Sequence, residues 1–259
     1  MRIPTITGII ERRILVNYRV APDRLAANLP KPFRPKLFDG CGIGGICLIR
    51  LGRIRPRGVP ALLGLRSENA AHRVAVEWEV DGKRHEGVHI PRRDTESRFN
   101  ALIGGRVFPG EHHHARFSVQ ETEHAFSISM NSSDGHTAVD VKAHIAEALP
   151  RTSIFPDLET SSAFFEAGAL GYSATAKSGR FDGLELCCRR WAVTPLSVET
   201  VHSSWFDDPA RFPPGTATFD CALLMREIEH EWRSREDLCC ATGEPLERDT
   251  PIRAASSVR

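Results

Sequence analysis

Apolar and polar residues alternate in short runs along most of this chain, and that period of two limits its folding more than any other feature. Ile14, Val16, Tyr18 and Val20 form one such run. Val74, Val76 and Trp78 lead into Asp81-Gly82, after which Val88 and Ile90 return; an Asp-Gly pair tolerates positive φ, so the spacing predicts a two-residue hairpin. Runs over 113–119, 126–130 and 139–145 predict a meander, with Ser133-Asp134-Gly135 as its second turn. An apolar strand at 46–49 and further strands at 184–193, 196–202 and 216–228 bring the count to at least nine. Helical spacing is confined to three short stretches: 22–29, opened by Pro22 and closed by Pro30 and Pro32; 95–103, capped by Asp94 and stopped by Gly104-Gly105; and 162–170. No repeat of 20–50 residues suggests a solenoid or propeller. The expected class is β-rich α+β, a large, mostly antiparallel sheet curled into a barrel or cone with a few short helices.

Composition narrows the partners. With 41% hydrophobic and 26% charged residues, the 259-residue chain is that of a globular protein. One domain is expected over 1–240, followed by a disordered tail, 241–259, whose Pro, Thr, Ser and charges carry no apolar period. Basic and acidic residues number 34 and 33, so no net field holds a phosphate backbone or an anionic membrane; nucleic acid and membrane are not expected partners, and a homo-oligomer stays open. No run reaches the ~18 apolar residues of a membrane span, and the first ten residues do not read as a secretion signal. The seven cysteines are odd in number and include the adjacent pairs Cys187-Cys188 and Cys239-Cys240, which points to reduced thiols and a cytoplasmic setting.

Several motifs fail on context. Gly40-Cys41-Gly42-Ile43-Gly44-Gly45 satisfies G-x-G-x-x-G, but a proline-rich loop precedes it and a strand follows, so it reads as a turn or bulge where backbones pack closely. His112-His113-His114, with His72, His85 and His89, raises a metal centre; no H-E-x-x-H or C-x-x-C accompanies it, and no metal or other cofactor is expected. No G-x-S-x-G elbow is present. The pairs Arg12-Arg13, Arg92-Arg93 and Arg189-Arg190 read as solvated faces.

The densest polar set lies in the middle third: Glu68-Asn69, Gly87-Val88-His89-Ile90, Asp94 with Arg98 four residues on, Gly104-Gly105-Arg106, and His114-Ala115-Arg116. These motifs resemble the YqjF-like family, and the resemblance spans roughly residues 8–240. It implies an acetoacetate decarboxylase-like fold, a curled β-rich domain around a central cavity. In that superfamily a lysine of lowered pKa forms a Schiff base with a keto acid. Here the matching stretch, Gly105-Arg106-Val107-Phe108-Pro109-Gly110-Glu111, runs into the histidine triplet, so the counterpart is His112 or His113, and neither makes an imine. Alternation favours His113 as the inward member, on the face of Ala115, Phe117 and Val119. The chain has only five lysines, Lys31, Lys36, Lys83, Lys142 and Lys177, and none sits in the apolar surroundings a depressed amine requires.

The expected site therefore has His113 as general acid or base and Glu68 as a proton carrier or ion-pair partner. Arg98, Arg106 and Arg116 are candidate forks for a carboxylate, with Asp94, His112 and His114 completing the binding set. The competing reading is an ion-pair network pinning the helix at 95–103, with Asp94 and Arg98 as its first pair. The expected function is cofactor-free binding of a small organic acid or carbonyl compound, turned over by a lyase, isomerase or hydrolase without a Schiff base. A non-catalytic ligand-binding or interaction module, and a metal-assisted enzyme built on the histidines, are the alternatives.

Overall fold

Strand pairing dominates the computed structural model, which describes residues 4–103, 110–175, 177 and 179–239. In chain order come β1 (Ile6–Val20), α1 (Pro22–Ala27), β2 (Arg34–Pro35), β3 (Leu37–Phe38) and β4 (Cys41–Pro56). Next are β5 (Leu65–Val80), β6 (Lys83–Thr95), α2 (Arg98–Ile103), β7 (His112–Glu121), β8 (Ala125–Ser132) and β9 (Ala138–Ile145). Then follow α3 (Leu158–Ala167), β10 (Leu170–Ala174), β11 (Arg180–Cys188), β12 (Thr194–Ser203) and β13 (Ala217–Cys239). The helices are few and short, so the β-rich class read from the pattern stands. The hairpin stands too: Asp81 and Gly82 join β5 to β6 with φ of 50° and 70°.

All thirteen strands join one sheet, in which only β6 with β7 and β10 with β6 run parallel. Two extra pairings close it on itself. Because β5 pairs β6, nine strands form a ring in the order β6-β7-β8-β9-β12-β13-β1-β4-β5. Because β11 pairs β13, seven strands form a second ring, β11-β10-β6-β5-β4-β1-β13. The five strands β13, β1, β4, β5 and β6 belong to both rings and make a shared wall, which has two insides and no outside over its middle. Residues 14–18 of β1 are accordingly all buried, and alternation sorts them: Ile14, Val16 and Tyr18 pack into one core with Ile128, Met130 and Val141, whereas Leu15 packs into another with Ala71, Phe165 and Leu223.

Some boundaries differ from the pattern, each for a local reason. The helix expected at 95–103 begins at Arg98, because β6 stays paired to β5 as far as Thr95; Ser97, whose hydroxyl accepts from the Asn100 N–H at 3.2 Å, caps it instead of Asp94. The helix expected at 162–170 starts earlier, at Leu158, where Asp157 accepts from the Thr160 N–H, and it ends before Leu170, which joins β10. In the glycine-rich stretch, Asp39 and Gly40 turn at positive φ, while Gly45 lies inside β4, where a Cβ would stand 2.4 Å from the Val16 carbonyl oxygen. The Gly104-Gly105 stop and the tail expected at 241–259 lie outside the described residues. No helix among the described residues is long and apolar enough to cross a membrane.

Candidate functional site

The shared wall places neighbouring residues of one strand in different interiors, and the polar groups divide accordingly. On the face of β1 that carries Ile14, Arg12 is 2% exposed and meets Glu68 at 2.5 Å and Glu121 at 2.7 Å. Arg50 meets the other Glu68 oxygen at 2.5 Å and also pairs with Glu121. In the same interior, opposite Ala70, Asp94 is fully buried and takes three bonds from Arg92, which also holds Asp134 at 2.9 Å. Burial pushes the Asp94 carboxyl up against the pull of Arg92. For Asp134 the opposite sign wins: bonds from the Ser132 hydroxyl, the His136 N–H and Arg92 outweigh desolvation and hold it low. Every buried cation of this nine-strand interior has a carboxylate.

On the other face Arg93 feels Asp182 without forming an ion pair among the described residues. Across this face runs one register row, Leu223, Leu15, Cys47, Ala71, Arg93 and His112, contributed by β13, β1, β4, β5, β6 and β7 in turn. Beside this row lies a cavity of ≈ 320 Å³, within the size range of small-molecule sites. Its walls are mainly apolar, with Ile6, Ile49, Leu51, Leu184 and Trp232 drawn from the seven-strand ring. Asn69, Arg93 and His112 are the polar groups that matter, and Phe99 of α2 stands at its edge, 57% exposed.

Arg93 donates from Nε to the Ser173 hydroxyl at 3.0 Å and enters no ion pair among the described residues. Burial lowers its pKa to about 10, so it remains a cation at neutral pH. His112 bonds through Nδ1 to the Gly110 carbonyl at 3.0 Å; a carbonyl only accepts, so Nδ1 carries the proton and Nε2 is left with its lone pair. Burial first, and the charge of Arg93 second, bring the His112 pKa down to about 4, leaving a neutral imidazole. The pair thus offers one fixed cation and one neutral acceptor at the wall of an apolar chamber.

The structure scatters the residues expected from sequence. His112 lines the cavity. His113 does share the face of Ala115, as alternation requires, but that face looks into the packed nine-strand core, and its Nδ1 stands 3.3 Å from Asp134. The inward residue toward the cavity is His112 because the sheet has two interiors. His114 bonds the Ser133 hydroxyl at 2.6 Å. Arg98 and Arg116 are exposed, and Arg106 lies outside the described residues. Asp94 borders the cavity, yet its carboxylate belongs to Arg92; the expected pair with Arg98 does not form because Asp94 is strand, not helix. Glu68 is held on both oxygens and has no free lone pair aimed at a substrate. Sequence reasoning misses Arg93, since its pair reads as solvated, whereas of the three arginine pairs Arg189-Arg190 alone is exposed on both residues. Two arginines in succession on a strand with apolar residues on both faces would have been the signal. Among the described residues no three His, Cys, Asp or Glu side chains converge as a metal site would need.

Residues 10–218 match the model of a family described as an uncharacterised conserved protein, DUF2071. No curated protein matches. Among solved structures, acetoacetate decarboxylase from Legionella pneumophila subsp. pneumophila superposes with a TM-score of 0.55 and 12% identity, over 90% of this chain and 87% of that one. The enduracididine biosynthesis enzyme MppR, complexed with pyruvate, gives 0.55 and 10%, over 92% and 90%. An acetoacetate decarboxylase-like enzyme from Sphingomonas wittichii RW1 gives 0.54 and 10%, over 90% and 91%. At such identities the likeness is one of fold.

Proposed function

Since the chain belongs to the DUF2071, YqjF-like family of uncharacterised conserved proteins and has the acetoacetate decarboxylase-like fold, we propose that its cavity binds a small organic acid, with the carboxylate on Arg93. The observation that carries this reading is a half-buried arginine, near Asp182 but without an ion pair among the described residues, at the wall of an apolar chamber of ≈ 320 Å³. An unpaired charge in such a place is costly, and a ligand carboxylate supplies the missing partner through charge-assisted, bidentate bonds. A neighbour of the same fold holds pyruvate, a keto acid.

His112 gives the site its one proton-handling group beside that anchor. Its Nε2 can accept from a hydroxyl or an enol of the bound molecule. A carboxylate seated on Arg93 offsets the charge that helps hold His112 down, so the imidazole gains proton affinity when the acid binds. Lysine imine chemistry has no place in this chamber. Lys31, Lys83, Lys142 and Lys177 are exposed, and Lys36 lines a different cavity. The five described free cysteines fit action in a reducing cytoplasm.

The test uses hexanoate against hexan-1-ol, the same chain without the carboxylate, followed by calorimetry and by the emission of Trp232 in the cavity wall. Hexanoate is expected to bind and the alcohol not, and Arg93→Met is expected to weaken hexanoate about 10- to 100-fold. Equal binding of acid and alcohol, no binding of the acid, or an unaffected Arg93→Met would overturn the proposal.

A further inference from the structure

A second, much smaller cavity of ≈ 30 Å³ opens on the same face of the shared wall, and three cations line it: Arg13 of β1, Lys36, and Arg73 of β5. Phe164 and Phe165 of α3 and Val88 complete its apolar sides. Among the described residues Arg13 donates to soft acceptors, the Cys47 sulfur at 3.1 Å from Nε and the Met225 sulfur at 3.8 Å from a terminal nitrogen, and lies over the Trp191 ring. Arg73 is 4% exposed, lies over the Phe165 ring and reaches across β4 to the Asn17 side-chain oxygen, a path that the missing side chain of Gly45 leaves open. Its Nε is buried without a hydrogen-bond partner among the described residues. Lys36 has a carboxylate, Glu86 at 2.9 Å, but that side chain is 42% exposed. Among the described residues neither Arg13 nor Arg73 enters an ion pair.

We propose that this cavity is a binding site for one monoatomic anion of chloride size, held by Arg13, Lys36 and Arg73. Size favours a small ligand, since the volume is of the order of a single water-sized particle. Charge selects its sign, since two arginines that enter no ion pair among the described residues line the space beside Lys36. The depressed pKa of Arg73, about 10, is what burial of a guanidinium without an ion pair produces, and an anion beside it would relieve that cost. The site is separate from the larger cavity and does not depend on an organic acid binding there.

Crystals of the full chain soaked in sodium bromide should show an anomalous peak bounded by Arg13, Lys36 and Arg73. In solution, replacing sodium gluconate by sodium chloride at constant ionic strength should raise the thermal midpoint, saturably in the millimolar range. Arg73→Met should abolish the chloride-specific rise while the protein stays folded, and Lys36→Met should weaken it in case Arg73→Met does not fold. Arg93→Met, at the other cavity, should leave it intact. No peak at this position, peaks at exposed cations that mark an adventitious ion only, or an equal chloride response in the Lys36→Met protein would overturn the assignment.

Discussion

Arg12 and Arg13 are chain neighbours in the same strand, yet one is held by carboxylates and the other enters no ion pair among the described residues. Arg12 has two carboxylates within 2.7 Å, and Arg92 likewise has Asp94 and Asp134. Arg13 has two sulfur atoms, and Arg93, the neighbour of Arg92, has one hydroxyl. In the nine-strand interior Arg12 and Arg92 are matched by carboxylates that hold strands together. On the seven-strand side Arg13 and Arg93 enter no ion pair among the described residues, although Asp182 acts on Arg93 and Glu86 pairs with Lys36, and it is there that room for ligands remains. The difference teaches that the number of buried charges says little about function, whereas the balance of their signs within one chamber says much.

The comparison breaks most visibly if the two arginines of a pair are exchanged for methionine in turn. Arg12→Met removes the buried partner of Glu68 and Glu121, leaving both on the more exposed Arg50, and is expected to cost about 3 kcal/mol, which for a chain of this size lowers the thermal midpoint by roughly 6–12 °C in calorimetry. An Arg12→Met protein as stable as the parent would end the claim that the nine-strand interior is structural.

Acid sharpens the comparison at an intermediate scale. His72, beside Trp205 in the nine-strand interior, has both ring nitrogens buried without partners, and burial, with Arg92 and Arg211 nearby, lowers its pKa from 6.5 to about 3. The unfolded chain then binds a proton that the folded chain refuses, so this contribution is intact above pH 6.5 and is lost as pH falls below it, by about 2 kcal/mol at pH 5. Urea titrations at pH 7.5 and 5 should show that loss, and His72→Phe should remove its share of the slope. His112 adds a similar loss in the free protein, which shrinks with hexanoate bound because the field of Arg93 is then offset; a slope unchanged by both His72→Phe and ligand would contradict the assignment.

The smallest effect is expected at Arg93. Since no ion pair among the described residues is broken, Arg93→Met should alter unfolding free energy by less than about 1 kcal/mol in either direction while hexanoate binding weakens about 10- to 100-fold. A loss comparable to that of Arg12→Met would show that Arg93 has a structural partner after all.

Much of the fold was legible. The Asp81-Gly82 hairpin, the meander through β7, β8 and β9 and the predominance of strands all follow from period-two patterning and turn chemistry. The helix over 95–103 was misplaced at its start because a capping residue is also a tolerable strand residue, and pairing with β5 outweighs a cap worth about 1 kcal/mol. The site was legible only in part. His112 is in the expected set, but its cation, Arg93, sits in a pair that looks solvated, and Glu68, on sequence a proton carrier or an ion-pair partner, is paired with Arg12 and Arg50.

By itself the sequence determined parity: along each strand it decided which residues share a face, and through runs such as Ile14–Tyr18 that both faces are buried. Parity carries no label for a chamber. Which interior received Arg93 and which received Arg92 was decided by the closures of β5 on β6 and of β11 on β13, and by carboxylates such as Glu121 that arrive from 109 residues away. Those contacts are long-range in the chain and short-range in space, and a local pattern of period two contains no information about them.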